Sequence, residues 1–289
     1  MSQSASVRTA LLLVLLILGV VAWLVPQLSR VSDGRQPYLT VTFLNIGQGD
    51  AILIETPDGV QALIDGGADT AILRELPAAL PWFDRTLDLV LGTHSDKDHI
   101  GGLVDVLKRY TVSTIVTTEN TGETTTASAY HKALTVEGAE VHMARAGQVY
   151  QLGASTTLAV FSPASDPSML ETNTASIVTQ LRYGAIEFML TGDAPIGIEQ
   201  YLVVAYGAQL ESEVLKLGHH GSKTSTSDEF FEAVSPQYAV VSAGKGNRYG
   251  HPAPEVVARI AAHDIPLLST IDSGRITFAT DGVTVWQVR

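Results

Sequence analysis

Apolar residues occur in short segments along most of this chain, but its first part contains one long apolar run. Residues 10–26, ALLLVLLILGVVAWLVP, carry no charge. Their number is near the lower limit for a membrane-spanning helix and above that of most signal-peptide cores. Because no small-residue cleavage motif follows, the pattern predicts a short tail (1–9), an uncleaved transmembrane signal anchor (10–26) and a polar linker (27–37), with a cleaved signal peptide as the alternative. A short N-terminal tail usually stays inside, so we expect the rest of the chain to be extracytoplasmic.

The pattern changes at residue 38, after which β-rich segments are separated by turn signals. Strands are predicted at 38–46, 51–57, 60–67, 87–94, 157–163, 176–183, 185–193 and 212–220. Helical spacing is found at 102–110 and 252–263. Many strands, several of them consecutive, with helices between them predict one layered α/β domain with mixed sheets over residues 38–289.

Local signals predict where two helices begin and where the last hairpin turns. Thr226 and Glu229 have capping-box spacing, which places a helix start at Thr226. Pro254 suits the first turn of the helix in 252–263. Asp281-Gly282 indicates a type I′ turn, which predicts a hairpin at the end of the chain.

Composition limits the chemistry that is available. The chain has 289 residues and a formal net charge of −12, which argues against a protein that grips nucleic acid with a broad basic face. It has no cysteine, so disulfides and thiolate metal sites are excluded. Any metal site must therefore use imidazole and oxygen ligands.

The segment GTHSDKDHIGG, residues 92–102, concentrates such ligands after an apolar strand. His94, Asp96, Asp98 and His99 offer the imidazole and carboxylate groups that suit zinc, iron or manganese, and their close spacing can serve two metals. Two glycines then allow a sharp turn into the next helix. The alternative is a polar turn whose aspartates cap that helix.

Two further strands end at similar residues, and this favours the metal interpretation. LTGDA places Asp193 just after one strand, and LGHHGS places His219 and His220 after another. Each signal is weak alone, because an aspartate is common in turns and paired histidines can be exposed. Together with the first cluster they supply about the number of ligands that two metals need, and they predict metal-assisted hydrolysis.

These motifs occur in an order that resembles a known family. VTFLNIGQGDAILIETPDGVQALIDGG, THSDKDHIGG, LTGDA, VLKLGHHGSKTS and NRYGHP closely resemble the metallo-β-lactamase-fold hydrolase domain of the ComEC competence proteins, from residue 38 to the C-terminus. The resemblance implies a four-layered αββα sandwich with a two-metal hydrolytic site between its sheets. The predicted transmembrane helix would precede this domain.

The resemblance also implies residue roles. It assigns two divalent metal ions, zinc or manganese, to ligands His94, Asp96, Asp98, His99, Asp193 and His220. Asp65 matches an aspartate that supports the metal-binding loop, and Asn247, Tyr249 and His251 match a loop on the substrate side. Asp96 stands where the wider superfamily usually has histidine, which favours harder metals such as Mn²⁺. A further histidine of that superfamily has no counterpart, and Asn173 is its candidate substitute.

The leading hypothesis is a membrane-anchored hydrolase of phosphodiesters, with single-stranded DNA as the candidate substrate. Asp98, His219 and His251 are the candidate catalytic residues, and either histidine could protonate the leaving oxygen. The cations near these motifs form a phosphate-facing patch or are ordinary solvated side chains: Lys216, Lys223, Lys245 and Arg248. The alternatives are hydrolysis of a small or cell-envelope phosphoester, and a non-catalytic metal-binding module.

Overall fold

Two β-sheets packed face to face form the frame of the molecule. The structure, a computed structural model, describes residues 38–81 and 83–288. The predicted anchor (10–26) and linker (27–37) lie outside the described residues. Among those that are described, no helix is long and apolar enough to cross a membrane.

The first sheet has eight strands in the order β15-β14-β1-β2-β3-β4-β5-β6 within the described residues. They are β1 (Leu39–Phe43), β2 (Ile52–Glu55), β3 (Gln61–Ile64), β4 (Thr86–Leu91), β5 (Thr111–Thr117), β6 (Glu140–Met143), β14 (Ile276–Thr280) and β15 (Val285–Val288). Neighbouring strands from β3 to β6 are parallel, and the other neighbours are antiparallel. All residues of β3 are buried, as expected for a strand covered on both faces.

The second sheet has seven described strands in the order β13-β12-β11-β10-β9-β8-β7. They are β7 (Val149–Leu152), β8 (Thr156–Ser162), β9 (Val178–Tyr183), β10 (Ile186–Leu190), β11 (Val214–Lys216), β12 (Tyr238–Val241) and β13 (Leu267–Ser269). Strands β10 to β13 are parallel neighbours, and β7 to β10 are antiparallel. Parallel β10 and β11 bring the segments after them to one edge of the sheet.

Helices cover the outer face of each sheet. On the first sheet these are α1 (Ile72–Ala79), α2 (Lys97–Ile100), α3 (Leu103–Val106) and α4 (Thr125–Glu137). On the second sheet they are α5 (Ile196–Tyr206), α6 (Asp228–Val234), α7 (Pro254–Ala262) and α8 (Thr270–Ser273). The inner faces of the two sheets share a core in which the ring of Phe278 lies 6.3 Å from those of Phe43 and Phe188. The resulting αββα sandwich confirms the fold that the sequence motifs predicted.

Of the two predicted helix starts, the one at Thr226 was wrong and the one at Pro254 is confirmed. Ser227, not Thr226, is the N-cap of α6, and its hydroxyl accepts a hydrogen bond from the Phe230 N–H at 3.3 Å. Thr226 has a φ of 58°, and its N–H donates to the buried carboxylate of Glu199, so it lies before the helix. Pro254 does begin α7, as predicted.

The closing hairpin forms, but its turn is longer than a type I′ turn. Thr280 pairs with Val285, which leaves a four-residue connection. The Asp281 carboxylate accepts hydrogen bonds from the N–H groups of Val283 and Thr284, at 2.9 and 2.8 Å. This side-chain turn, typical of aspartate, replaces the two-residue geometry.

The segments next to the predicted cluster are shorter than the sequence indicated. The helix predicted over 102–110 is limited to α3, because β5 begins at Thr111 and the chain must leave the helix first. Gly102 does not make a sharp turn, because its φ of −73° is ordinary helical geometry. Glycine is required there because a Cβ would lie 2.0 Å from the Gly66 carbonyl oxygen.

Candidate metal centre

Three strands from both sheets end beside the same space. The chain leaves β4 at Leu91 and enters the loop that carries His94 and α2. Asp193 follows β10, and His219 and His220 follow β11. The sequence predicted clusters at three strand ends, and the packing of the sheets brings them together.

One carboxylate oxygen is the centre of the cluster. Asp193 Oδ2 lies 3.3 Å from His99 Nε2, 3.5 Å from His220 Nε2, 3.7 Å from His219 Nε2 and 3.8 Å from His94 Nε2. His94, His99, His220 and Asp193 are almost completely buried, whereas the His219 side chain is 27% exposed. Four imidazoles thus face one aspartate at the bottom of the site.

The polar atoms at this centre need a further partner. The Nε2 atoms of His94, His99 and His220 and Oδ1 of Asp193 are buried and have no hydrogen-bond partner among the described residues. A buried polar atom without a partner costs about 1–3 kcal/mol. Imidazole nitrogen and carboxylate oxygen are ligands of zinc, iron and manganese, so these residues fit a divalent metal centre.

Hydrogen bonds from behind fix two of the imidazoles. His99 Nδ1 lies 2.7 Å from Asp65 Oδ2, and His220 Nδ1 lies 3.0 Å from the Ser242 carbonyl oxygen. The Thr93 N–H and hydroxyl both donate to the Asp65 carboxylate, at 2.8 and 2.7 Å. Because each Nδ1 is engaged, each Nε2 is available to the centre, which is how outer hydrogen bonds orient metal-binding histidines.

The backbone also contributes to this orientation. Asp65, His219 and His220 have positive φ values of 58°, 48° and 55°. Such left-handed conformations are rare for residues other than glycine and cost of order 1–3 kcal/mol each when the surrounding structure enforces them. The sheet scaffold therefore enforces an unusual backbone at the points from which these side chains reach the centre.

Mutual electrostatics shift the pKa values of the buried groups. Burial would raise the pKa of Asp193, but His220 and His99 hold it well below its ordinary value. Burial would lower the pKa of His220, but Asp193 and Asp50 raise it to about 9. Burial and the neighbouring His99 lower the pKa of His94 to about 4. The carboxylates around His220 therefore favour its protonated form in the metal-free protein, and metal binding competes with that proton.

Asp96 and Asp98 lie toward the rim of the cluster. Asp96 Oδ2 is 3.8 Å from His94 Nε2, and Asp98 Oδ2 is 3.4 Å from His220 Nε2. Burial would raise the pKa of Asp98, but His220 and His99 lower it far below its ordinary value. Asp96 is the N-cap residue of α2, yet its side chain makes no capping hydrogen bond. These carboxylates therefore face the histidines, and helix capping does not explain them.

The substrate-side residues lie at different distances from the centre. The His251 ring is 5.6 Å from that of His219 and 6.4 Å from that of His220, and Tyr249 stacks on the outer side of His251 at 5.7 Å. Asn173 is half-buried in the turn before β9, and its side-chain oxygen has no partner among the described residues.

The predicted cation patch is divided by the structure. Lys223, Lys245 and Arg248 are exposed. Lys216 is fully buried and ion-paired with Asp50, at 2.6 Å between Nζ and Oδ2. Lys216 therefore belongs neither to a phosphate-facing surface nor to the ordinary solvated residues.

Asp50 is a residue of this site that the sequence motifs did not identify. Its carboxylate is buried, with Oδ1 3.5 Å from His220 Nδ1 and Oδ2 4.0 Å from His99 Nδ1. Asp50, His99, Asp193 and His220 form a group whose ligand atoms all lie within 4.8 Å of one another. Burial would raise the pKa of Asp50, but Lys216 and His220 lower it to about 2.

Local packing explains how Asp50 comes to lie beside the histidines of the centre. The GQGD segment, residues 47–50, forms a turn between β1 and β2 and packs directly on the metal-binding loop. The Asp50 N–H donates to the Asp98 carbonyl at 3.2 Å, and Gly49, with a φ of 120°, leaves no room for a Cβ beside the same carbonyl. The available sequence signal was Lys216 itself, since a lysine inside the apolar strand VLKLG requires a buried partner.

Comparison with known sequences agrees with this geometry. The family model described as "Metallo-beta-lactamase superfamily" matches residues 44–245. ComE operon protein 3 of Bacillus subtilis (strain 168) is 31% identical over 261 residues, which cover 82% of this chain and 32% of that protein. Competence protein ComA of Neisseria gonorrhoeae is 36% identical over 242 residues, with the same two coverages. This chain thus spans about a third of the length of these relatives.

Solved structures show the same fold at low sequence identity. The metallo-beta-lactamase fold protein YhfI from Bacillus subtilis superposes with a TM-score of 0.55 at 12% identity, covering 87% of this chain and 100% of that one. CmlA, a diiron beta-hydroxylase from Streptomyces venezuelae, superposes with a TM-score of 0.54 at 14% identity, covering 86% and 54%. At these identities the likeness concerns the fold.

Proposed function

Because this chain belongs to the metallo-β-lactamase superfamily of hydrolases, we propose that it hydrolyses phosphodiesters with two divalent metal ions, zinc or manganese. Single-stranded DNA is the candidate substrate. The observation that carries the proposal is the position of Asp193, whose Oδ2 faces His94 as well as His99 and His220. In this proposal, Asp193 would be shared by two groups of ligands. One group is His94 with Asp96, and the other is Asp98 with His99 and His220.

This ligand set suits phosphate esters. Divalent metal ions, when bound, lower the pKa of water from about 16 to about 7 and neutralise charge on a phosphate ester. The chain itself supplies the carboxylates and imidazoles that hold such ions, and His219 can hold a proton at the exposed side of the site. His219 Nδ1 lies 3.1 Å from the Thr224 hydroxyl, which leaves Nε2 directed toward Asp193.

The names of the relatives support nucleic acid as the candidate substrate. One is named Competence protein ComA, another ComE operon protein 3, and a third Recombination protein 2 of Haemophilus influenzae. Each relative is about three times as long as the matched segment, so the activity of the whole relative is not assigned to this chain. Because the net charge is −12 and the chain as a whole repels nucleic acid, any contact with nucleic acid must be local to the site.

Hydrolysis assays on the purified chain test this proposal. We expect cleavage of a single-stranded oligonucleotide and of bis(p-nitrophenyl) phosphate with Mn²⁺ or Zn²⁺, and no cleavage after chelation. Cleavage of phosphomonoesters alone would favour the small-phosphoester alternative. Metal binding without hydrolysis of any ester would indicate a non-catalytic module.

His219→Ala should keep the metal but lower turnover about 10²–10⁴-fold, the usual contribution of a general acid. The reason is that His219 is the partly exposed imidazole, whereas His220 is buried and fixed by Ser242. Esters with better leaving groups should recover part of the loss, because they need less protonation. If His219→Ala instead loses metal while His220→Ala retains it, the two roles are reversed.

We also propose that residues 10–26 anchor the chain in a membrane with the hydrolase domain outside the cytoplasm. The support is the uncharged apolar run in the sequence. Retention of the chain in membranes after a carbonate wash would agree with an anchor. A released chain beginning near Gln27 would show a cleaved signal peptide.

A further inference from the structure

The loop after β12 presents an ordered aromatic surface beside the metal centre. Asn247 holds this loop by its side chain: Nδ2 donates to the carbonyls of Gly244 and His251, at 2.9 and 2.6 Å. Its Oδ1 accepts from the N–H groups of His251 and Tyr249, at 3.0 and 3.2 Å. The positions of residues 249 and 251 are therefore set before any ligand arrives.

A series of rings leads from solvent to the centre. The Tyr249 ring stacks on His251 with an interplanar angle of 24°, and the next ring inward is His219, whose Nε2 faces Asp193. His251 Nδ1 is buried and lacks a hydrogen-bond partner within the described residues. Tyr249, at the outer end, is 54% exposed, so its ring is accessible from solvent.

Arg248 extends this surface. Its guanidinium carbon lies 4.9 Å from the centre of the Tyr249 ring, and a guanidinium N–H donates to the Tyr249 hydroxyl at 2.8 Å. The guanidinium thus lies over the Tyr249 ring, and the two stacked groups form an exposed patch that carries a positive charge. A cationic ligand such as a quaternary ammonium is disfavoured there, because a cation already lies over the ring.

We propose that Arg248 and Tyr249 form a stacking surface for an unpaired nucleobase next to a phosphate held at the metal centre. The assignment rests on the proposed phosphodiesterase function and adds to it the recognition of a base. Unpaired bases stack on aromatic rings and on arginine guanidinium planes, whereas a paired base in a duplex has no free face. The pre-ordered loop suits this role because little conformational freedom is lost on binding.

Fluorescence anisotropy at low salt with the Mn²⁺-loaded chain and phosphorothioate-linked strands, which resist cleavage, tests the surface without hydrolysis. The probes are labelled oligo-dU and oligo-rU of ten nucleotides and an abasic strand of equal length. We expect the wild-type chain to bind a base-containing strand more tightly than the abasic strand. Tyr249→Leu should weaken binding of that strand by about 5- to 150-fold, the range that stacking of one base supplies, and remove its advantage over the abasic strand. The tighter of the two base-containing strands identifies the sugar.

Matched variants separate stacking from bulk and charge. Tyr249→Phe keeps the ring and should retain the preference for bases, whereas Leu keeps an apolar side chain without a planar face. Arg248→Ala should weaken binding more than Arg74→Ala, which removes an equal charge from a side chain that is 72% exposed elsewhere. Equal affinity for base-containing and abasic strands in the wild-type chain, or an unchanged preference in Tyr249→Leu, would overturn the assignment.

The two proposals fail in different ways. Base-dependent binding by a chain that hydrolyses no phosphodiester would leave the stacking surface in place and remove the proposed function. Hydrolysis of phosphodiesters by a chain without base-dependent binding would support the proposed function and remove the stacking surface. In steady-state assays, Tyr249→Leu should raise KM for the base-containing oligonucleotide about 5- to 150-fold and should change KM for the abasic strand little.

Discussion

His99→Ala should remove about one metal ion per chain and reduce hydrolysis to the level of the metal-stripped wild-type chain. His99 has the shortest approach to Asp193 Oδ2, at 3.3 Å, and its ring lies 4.1 Å from that of His94 and 5.2 Å from that of His220. No neighbouring imidazole can replace it, because His94 and His220 are already directed at the centre. Metal content by mass spectrometry, together with hydrolysis rates, measures both effects.

The control for this substitution is His142→Ala. His142 is partly exposed on β6 and pairs with Glu140, away from the motifs that form the centre. It should keep both metal and activity, which separates the loss of a ligand from the general loss of a histidine. Asp98→Ala should behave as His99→Ala does. Full metal content in both His99→Ala and Asp98→Ala would show that the cluster is structural.

Lys216→Met should lower the free energy of unfolding by about 3–5 kcal/mol in the metal-free protein at pH 7. The substitution removes the partner 2.6 Å from Asp50 and leaves a buried carboxylate without its main countercharge. Asp50 has a pKa of about 2, below its ordinary 3.8, so its ionised form stabilises the fold above about pH 4, and this contribution is lost as the pH falls toward 2. The full effect should therefore be present at neutral pH. Urea unfolding in EDTA measures it.

A double variant distinguishes a broken pair from lost packing. Asp50→Asn combined with Lys216→Met removes both charges while keeping similar volumes, and it should recover most of the stability. A double variant as unstable as Lys216→Met would mean that packing around Lys216, which is fully buried in β11, accounts for the loss. An unaffected single variant would exclude a stabilising pair.

The fold was predictable because the sequence motifs and the pattern of strands both indicate a layered α/β sandwich. Of the parallel strands in the first sheet, β3 and β4 were predicted from their apolar residues, although the observed β4 stops at Leu91. Strands β5 and β6 were not predicted, because polar residues interrupt both. By contrast, α4 was missed. Its buried positions Ala127, Tyr130 and Leu134 have helical spacing, but alanine and the polar residues between them give only a weak pattern.

Asp50 could not be assigned from sequence order alone. It comes before β2, far along the chain from Lys216, and only the packing of one sheet on the other places their side chains in contact. Spacing rules describe residues on one element, whereas this pair joins two layers. The left-handed backbone at His219 and His220 was equally hidden, because the predicted strand over 212–220 ends at Lys216.

The metal-binding loop belongs to one sheet, and Asp193 and His220 belong to the other. An ion bound by both groups would cross-link the two sheets at the open edge of the sandwich, because the sheets could not separate there without releasing it. At a free ion concentration one hundred times the dissociation constant, such a site adds about 2.7 kcal/mol to the stability of the closed arrangement. The stability of the folded chain would then rise with the concentration of metal in the surroundings, independently of any substrate.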